Sequence, residues 1–245
     1  MSRMDMQLAR IQTPDGIVTG EHRDGVVHTD HETHRLDDSD VELLAPCAPS
    51  ALYCVGRNFA TTLDQMDYER PERPDFFIKP PVSVLAPDRE IAYPSFTEEF
   101  TYAGELAAVI DEPCSDLAPA EVPDVVRGYT ILNDLDALDQ DGRTARKAFD
   151  DSGPLGPWIE TDVDPGSIDM ETRINDEVRQ ETNTERMLFE PHEVVAFLSE
   201  RFTFSAGDVI SFGSPANPGL LEPGDEIVIT YEGVGTLRNT VATGE

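Results

Sequence analysis

The sequence predicts a β-rich α+β protein, with a small β module over residues 1–48 ahead of a larger mixed-sheet domain over residues 49–245. Three observations point there. Short apolar runs recur along the chain, each bounded by Gly, Pro or Asp. Only two stretches carry helix signals, and paired turn signals crowd the N-terminal part.

Taken in order, the first elements are hairpins within residues 6–45. Alternating stretches around Leu8, Ile11, Ile17 and Val18 flank the turn signal Pro14-Asp15-Gly16, and a second turn at Asp24-Gly25 precedes Val26-Val27. His28, His31 and His34 follow at intervals of three. In a strand-and-loop tract that spacing does not put them on one face, and their neighbours are acidic, so they read as surface histidines. From Ala51 on, apolar runs at 52–55, 76–78, 106–110, 209–210 and 227–229 read as strands. Pro191 opens a helix over 191–202, with Val194, Val195, Leu198 and Phe202 on its inner side and Glu190 or Glu193 near its positive end. A shorter helix is predicted over 120–127, after Pro119. Trp158 and the phenylalanines read as core.

Charge narrows the partners. The 245 residues carry 49 Asp+Glu against 18 Lys+Arg, a net charge of −31. Nucleic acid and anionic membrane surfaces need a cationic footprint, so neither is an expected partner. A hydrophobic content of 39% supports a folded core, against disorder. Only two of the basic residues are lysines, Lys79 and Lys147. Acidity with lysine nearly absent is what concentrated salt favours, because salt screens carboxylate repulsion. Most acids then read as solvated surface, and the two lysines stand out as groups whose work arginine cannot do. Met1-Ser2-Arg3-Met4-Asp5 leads into no apolar segment, no run is long enough to span a membrane, and Cys47, Cys54 and Cys114 lack zinc-type spacing. A cytoplasmic protein with buried reduced thiols is expected.

Four segments do more than build strands. They are Val55-Gly56-Arg57-Asn58-Phe59-Ala60; Tyr102-Ala103-Gly104-Glu105-Leu106; Gly128-Tyr129-Thr130-Ile131-Leu132-Asn133-Asp134, followed by Lys147-Ala148-Phe149-Asp150; and Gly207-Asp208-Val209-Ile210-Ser211-Phe212-Gly213-Ser214-Pro215. In that order, with Asn175-Asp176-Glu177-Val178-Arg179-Gln180 between, they resemble the fumarylacetoacetate hydrolase family from about Val55 to Val241.

The resemblance implies a mixed β-sandwich or β-roll catalytic domain, usually dimeric. It implies action on a 2-oxo or 1,3-dicarbonyl acid by C–C hydrolysis, decarboxylation or isomerisation through an enolate, with Mg²⁺ or Mn²⁺ as electrophile. It assigns the metal to Glu105 and Asp134 and catalysis to Lys147 and Ser214. Arg57, Asn58, Lys79, Gln180 and Ser214 fall to substrate binding.

The chain also departs from the family pattern. Ala103 stands where the first glutamate of the E-x-E metal pair belongs, and Asp136 is the one substitute that strand periodicity allows. Leu138 and Asp141 replace a substrate-binding Arg and Gln. Thr62 and Gln65 replace a water-activating His and Glu. Read bottom-up, Glu105 either lines a site or pairs with an arginine, Asp134 lines a site or caps a turn, and Lys79 serves the site or pairs with an acid. The expected chemistry needs only an electrophile: decarboxylation or enol–keto isomerisation. The alternative is a catalytically inactive member serving as a binding or partner subunit. A homodimer, or a hetero-oligomer with an active paralogue, is the expected assembly.

Overall fold

The computed structural model describes residues 6–66, 69–216 and 219–243. The N-terminal turns fold as read. Strand Gln7–Thr13 returns as Gly16–Arg23 with Thr13 opposite Gly16. Asp24 and Gly25, both at positive φ, then make the two-residue turn into Val26–His28. Ala9, Ile11 and Val27 form a small core of their own, with Trp158 of the larger region packed on it. Trp158 is half-buried and stacks on the His22 ring, and Phe96 is 48% exposed, so neither sits in the core as predicted.

These strands continue into one large sheet. Its path runs through Thr33–Arg35, Val26–His28, Gly16–Arg23, Gln7–Thr13, Gly153–Glu160, Val126–Asn133, Gly104–Ile110, Val209–Ser211, Leu52–Gly56 and Asp75–Lys79. Every residue of the central strand Gly104–Ile110 is buried, which is why its sequence is a near-continuous apolar run. A second sheet, built on Asp169–Ile174, Glu226–Tyr231 and Gly235–Val241, lays Met170, Ile174, Ile227, Ile229 and Tyr231 on the face that carries Leu106, Ala108 and Ile110. The strands of this second sheet alternate buried with partly exposed residues, the period-two signature of a one-sided surface. The result is the β-rich, helix-poor fold of the prediction.

Helices depart from the reading in detail. Helix Pro191–Ser199 has its capping box between Glu190 and Glu193, but stops three residues short of Phe202. There the Leu198 carbonyl accepts from both Arg201 and Phe202, closing a tight turn, and Phe202 packs on Tyr53. The helix predicted over 120–127 covers only Pro119–Glu121 and Val122–Val125. Val126 is drawn into the sheet against Ile110, and a side chain at Gly128 would meet the Glu160 carbonyl at 2.2 Å. Ladder pairing overrides the local helix signal. Two further short helices, Ala60–Met66 and Arg143–Lys147, were not predicted; runs this short carry no readable periodicity.

Cys54 is buried and Cys47 and Cys114 are only half-buried, all as free thiols, so the reading of three buried thiols holds for Cys54 alone. His28 and His31 are exposed, and His34 lies 3.8 Å from Glu32. Among the described residues no helix is long and apolar enough to cross a membrane.

Candidate active site

The strand Gly104–Ile110 begins with a constraint on space. A Cβ on Gly104 would meet Thr172 Oγ1 at 2.6 Å and Ile229 Cγ2 at 2.8 Å, so the two sheets approach here only over a glycine. The Gln180 side chain accepts from the Gly104 N–H at 3.2 Å, and Tyr231 Oη donates to the Gly104 carbonyl at 3.2 Å. This pinned strand end sets Glu105 in the wall of a cavity of about 490 Å³. Ser211 Oγ donates to Glu105 Oε2 at 2.5 Å and the Gly213 N–H donates at 3.2 Å. Among the described residues no arginine pairs with it. Burial first, and the charge of Asp134 second, push the Glu105 carboxyl up to about 8.

That shift has a stability consequence. An acid whose folded pKa lies above its unfolded value binds the extra proton only in the folded state, so stability falls as pH rises from about 4.5 through about 8. Glu105→Gln keeps the acceptor and removes the charge. It is expected to flatten this descent and to melt about 4 °C or more above the parent at about pH 9. Coincident melting curves across that range would show that Glu105 ionises normally.

Asp134 ends the neighbouring strand Val126–Asn133 and is nearly fully buried. Both of the chain's lysines converge on it. Lys79 Nζ lies 2.9 Å from Asp134 Oδ1, and Lys147 Nζ pairs with Oδ2. Burial alone would raise this carboxyl, but Lys147 and then Lys79 more than offset it and hold it below the usual carboxylate range. Lys147 also lies 3.2 Å from Asp136 Oδ2 and 5.2 Å from the centroid of the Phe77 ring. Burial draws its ammonium down, while Asp134 and Asp136 outweigh that and leave it raised.

The helix Arg143–Lys147 brings two more cations that were not predicted as site residues. Arg146 grips Asp136 through two bonds, at 2.8 and 2.6 Å, and Arg143 grips Asp75 through two bonds at 2.8 Å. Both line the cavity, as do Arg57, Thr62, Phe77, Leu138 and Ser214. The signal was present in Arg143-Thr144-Ala145-Arg146-Lys147, where spacings of three and four put the charges on one side of a helical turn.

Several predicted ligands are brought close but not into the cavity wall. Lys79 has no exposed surface; its ammonium donates to the Leu135, Lys147 and Ser152 carbonyls behind the wall. Asn58 is equally buried, donating to the Phe189 and Phe212 carbonyls at 3.0 and 2.9 Å and accepting from the Phe189 N–H. Gln180 donates to the Pro215 carbonyl at 2.9 Å and faces Ser214 Oγ at 3.4 Å. All three lie outside the cavity lining, with their polar groups turned to neighbouring atoms of the chain. Ser214 does line the cavity; its hydroxyl donates to the Pro215 carbonyl at 2.9 Å. The side chain of Gln65 lies outside the described residues.

A larger hollow of about 670 Å³ opens on the second sheet between Asp169, Glu171, Glu181, Glu185 and Glu232. It holds none of the candidate site residues, and chemistry therefore favours the smaller cavity.

The expected divalent cation does not fit this wall. Ala103 offers no ligand, each Asp134 oxygen already faces an ammonium, and Asp136 is held by Arg146 and Lys147. Among the described residues, no group of three His, Cys, Asp or Glu is placed to hold a metal ion.

Residues 51–242 match the family model described as fumarylacetoacetate (FAA) hydrolase C-terminal. The chain is 38% identical to 5-carboxymethyl-2-hydroxymuconate delta-isomerase from Mycobacterium smegmatis, with a TM-score of 0.90 over 98% of this chain and 100% of that one. It is 34% identical to the oxaloacetate tautomerase YisK of Bacillus subtilis over 83% of this chain and 74% of that protein. Fumarylpyruvate hydrolase from Pseudomonas aeruginosa, solved with Mn²⁺ and pyruvate, is 26% identical, with a TM-score of 0.76 over 91% of this chain and 98% of that one.

Proposed function

The chain belongs to the fumarylacetoacetate hydrolase family, and from that premise we propose that it is an enol–keto isomerase of a small 2-oxo dicarboxylic acid. The observation that carries this reading is the composition of one cavity wall. Glu105 shares it with the cationic side chains Arg143, Arg146 and Lys147, while Thr62, which takes no proton near neutral pH, stands where a hydrolase would keep its base.

Each group has a task that its chemistry suits. Arg146 and Arg143 are held flat by their aspartates and present planar donors to a carboxylate. Arg57 sits at the same wall, 3.9 Å from Asp75. The Lys147 ammonium stabilises the oxygen that becomes negative when an enol loses its hydroxyl proton. The hydroxyl proton leaves to water, and Glu105, protonated at neutral pH, delivers its own proton to the adjacent carbon and is then reprotonated from water. One proton leaves oxygen, one reaches carbon, and the enzyme ends as it began. The isomerase and tautomerase among the relatives support the same class of reaction for this chain.

The test compares two substrates in molar KCl, which screens the chain's net charge. Ketonisation of the enol of oxaloacetate is followed beside cleavage of acetylpyruvate. The first is expected to exceed the second by about 10²-fold or more, the deficit that a missing general base imposes. Equal rates, or cleavage alone, would overturn the assignment. Ala103 and the double pairing of Asp134 favour a second reading, a binding subunit without turnover; it gains if oxaloacetate binds and neither reaction proceeds.

A further inference from the structure

We propose that in this chain the ammonium of Lys147 occupies the carboxylates that a divalent cation would need, so that the pocket works as a metal-independent site. The geometry is that of a bridging cation. Lys147 Nζ pairs with Asp134 Oδ2 and lies 3.2 Å from Asp136 Oδ2, joining two carboxylates two residues apart in the chain. Lys79 holds the other Asp134 oxygen at 2.9 Å from the buried side, and Arg146 holds Asp136 through two bonds. These three cations match Glu105, Asp134 and Asp136 one for one, so even with all three acids ionised the cluster has no net negative charge for a dication to neutralise. A bound dication would have to lie against an ammonium held on the same carboxylate, where like charges repel. Ala103 adds no carboxylate to the wall beyond those three, and a lysine carries one charge where the metal carries two.

This inference stands apart from the identity of the substrate, because it is read by metal uptake and not by turnover. The full-length protein is titrated with Mn²⁺ in molar KCl and free metal is followed by electron paramagnetic resonance. The parent chain is expected to show no saturable site tighter than about 1 mM, and Lys147→Met to bind one Mn²⁺ per chain about tenfold tighter or better, since Asp134 Oδ2 and one contact of Asp136 Oδ2 are then freed. Lys147→Gln, which keeps a donor to Asp134 without the charge, serves if the methionine variant fails to fold. Ala103→Glu should also gain affinity. One tightly bound Mn²⁺ per parent chain, in the micromolar range, overturns the proposal. So does a gain in Ala103→Glu with none in either Lys147 variant, since loss of a ligand would then be the whole cause.

Discussion

Lys79→Met is expected to destabilise the fold by about 3–5 kcal/mol, the cost of breaking a buried ion pair from one side. The ammonium is fully buried, and its partners are Asp134 and the carbonyls of Leu135, Lys147 and Ser152. Methionine fills the stem's space and donates nothing. Asp134 is then left to Lys147 alone, and buried carbonyls lose a donor. In a chain of 245 residues each kcal/mol moves the melting temperature by about 2–4 °C, so a thermal melt at fixed KCl should fall by roughly 6–20 °C. A drop below about 2 °C would show that the Asp134 cluster contributes little to stability.

Lys147→Met is expected to lower kcat for ketonisation of oxaloacetate by about 10²–10³-fold, the effect of removing one preorganised group from a developing oxyanion. Unlike Lys79, Lys147 lines the cavity, with 15% of its side chain exposed. Its ammonium is oriented by Asp134, Asp136 and the Phe77 ring before any substrate arrives. The measurement belongs in EDTA, so that no stray cation refills the released carboxylates. A rise in KM with kcat untouched would make Lys147 a binding group that acts equally on ground and transition states. The two lysines thus separate by assay: one variant loses stability, the other loses turnover.

Glu105 and Asp134 could be picked from the sequence because each lies at the end of an apolar strand, where a charge begins, and Lys147 because the chain has only one other lysine. Ser214 and Arg57 were legible through the family resemblance, and both reach the cavity wall. Lys79, Asn58 and Gln180 carry motif positions too, yet they work from behind the wall. A motif shows that a residue type matters, not whether its polar end points to a ligand or to a neighbouring carbonyl. Arg143 and Arg146 escaped for the opposite reason. They lie on a five-residue helix whose orientation depends on Asp75 and Asp136, one from the edge strand Asp75–Lys79 and one from the short strand Asp136–Ala137.

By itself the sequence determined the β-rich architecture, the N-terminal hairpins and the family, because strand alternation, turn chemistry and ordered motifs are local properties of the chain. Tertiary structure alone decided what neutralises Asp134. Lys79 lies far before it and Lys147 follows on a separate helix, and only the sheet order brings both ammonium groups to one carboxylate. Burial then makes that meeting decisive, since a charge taken from water must be paired where it lies.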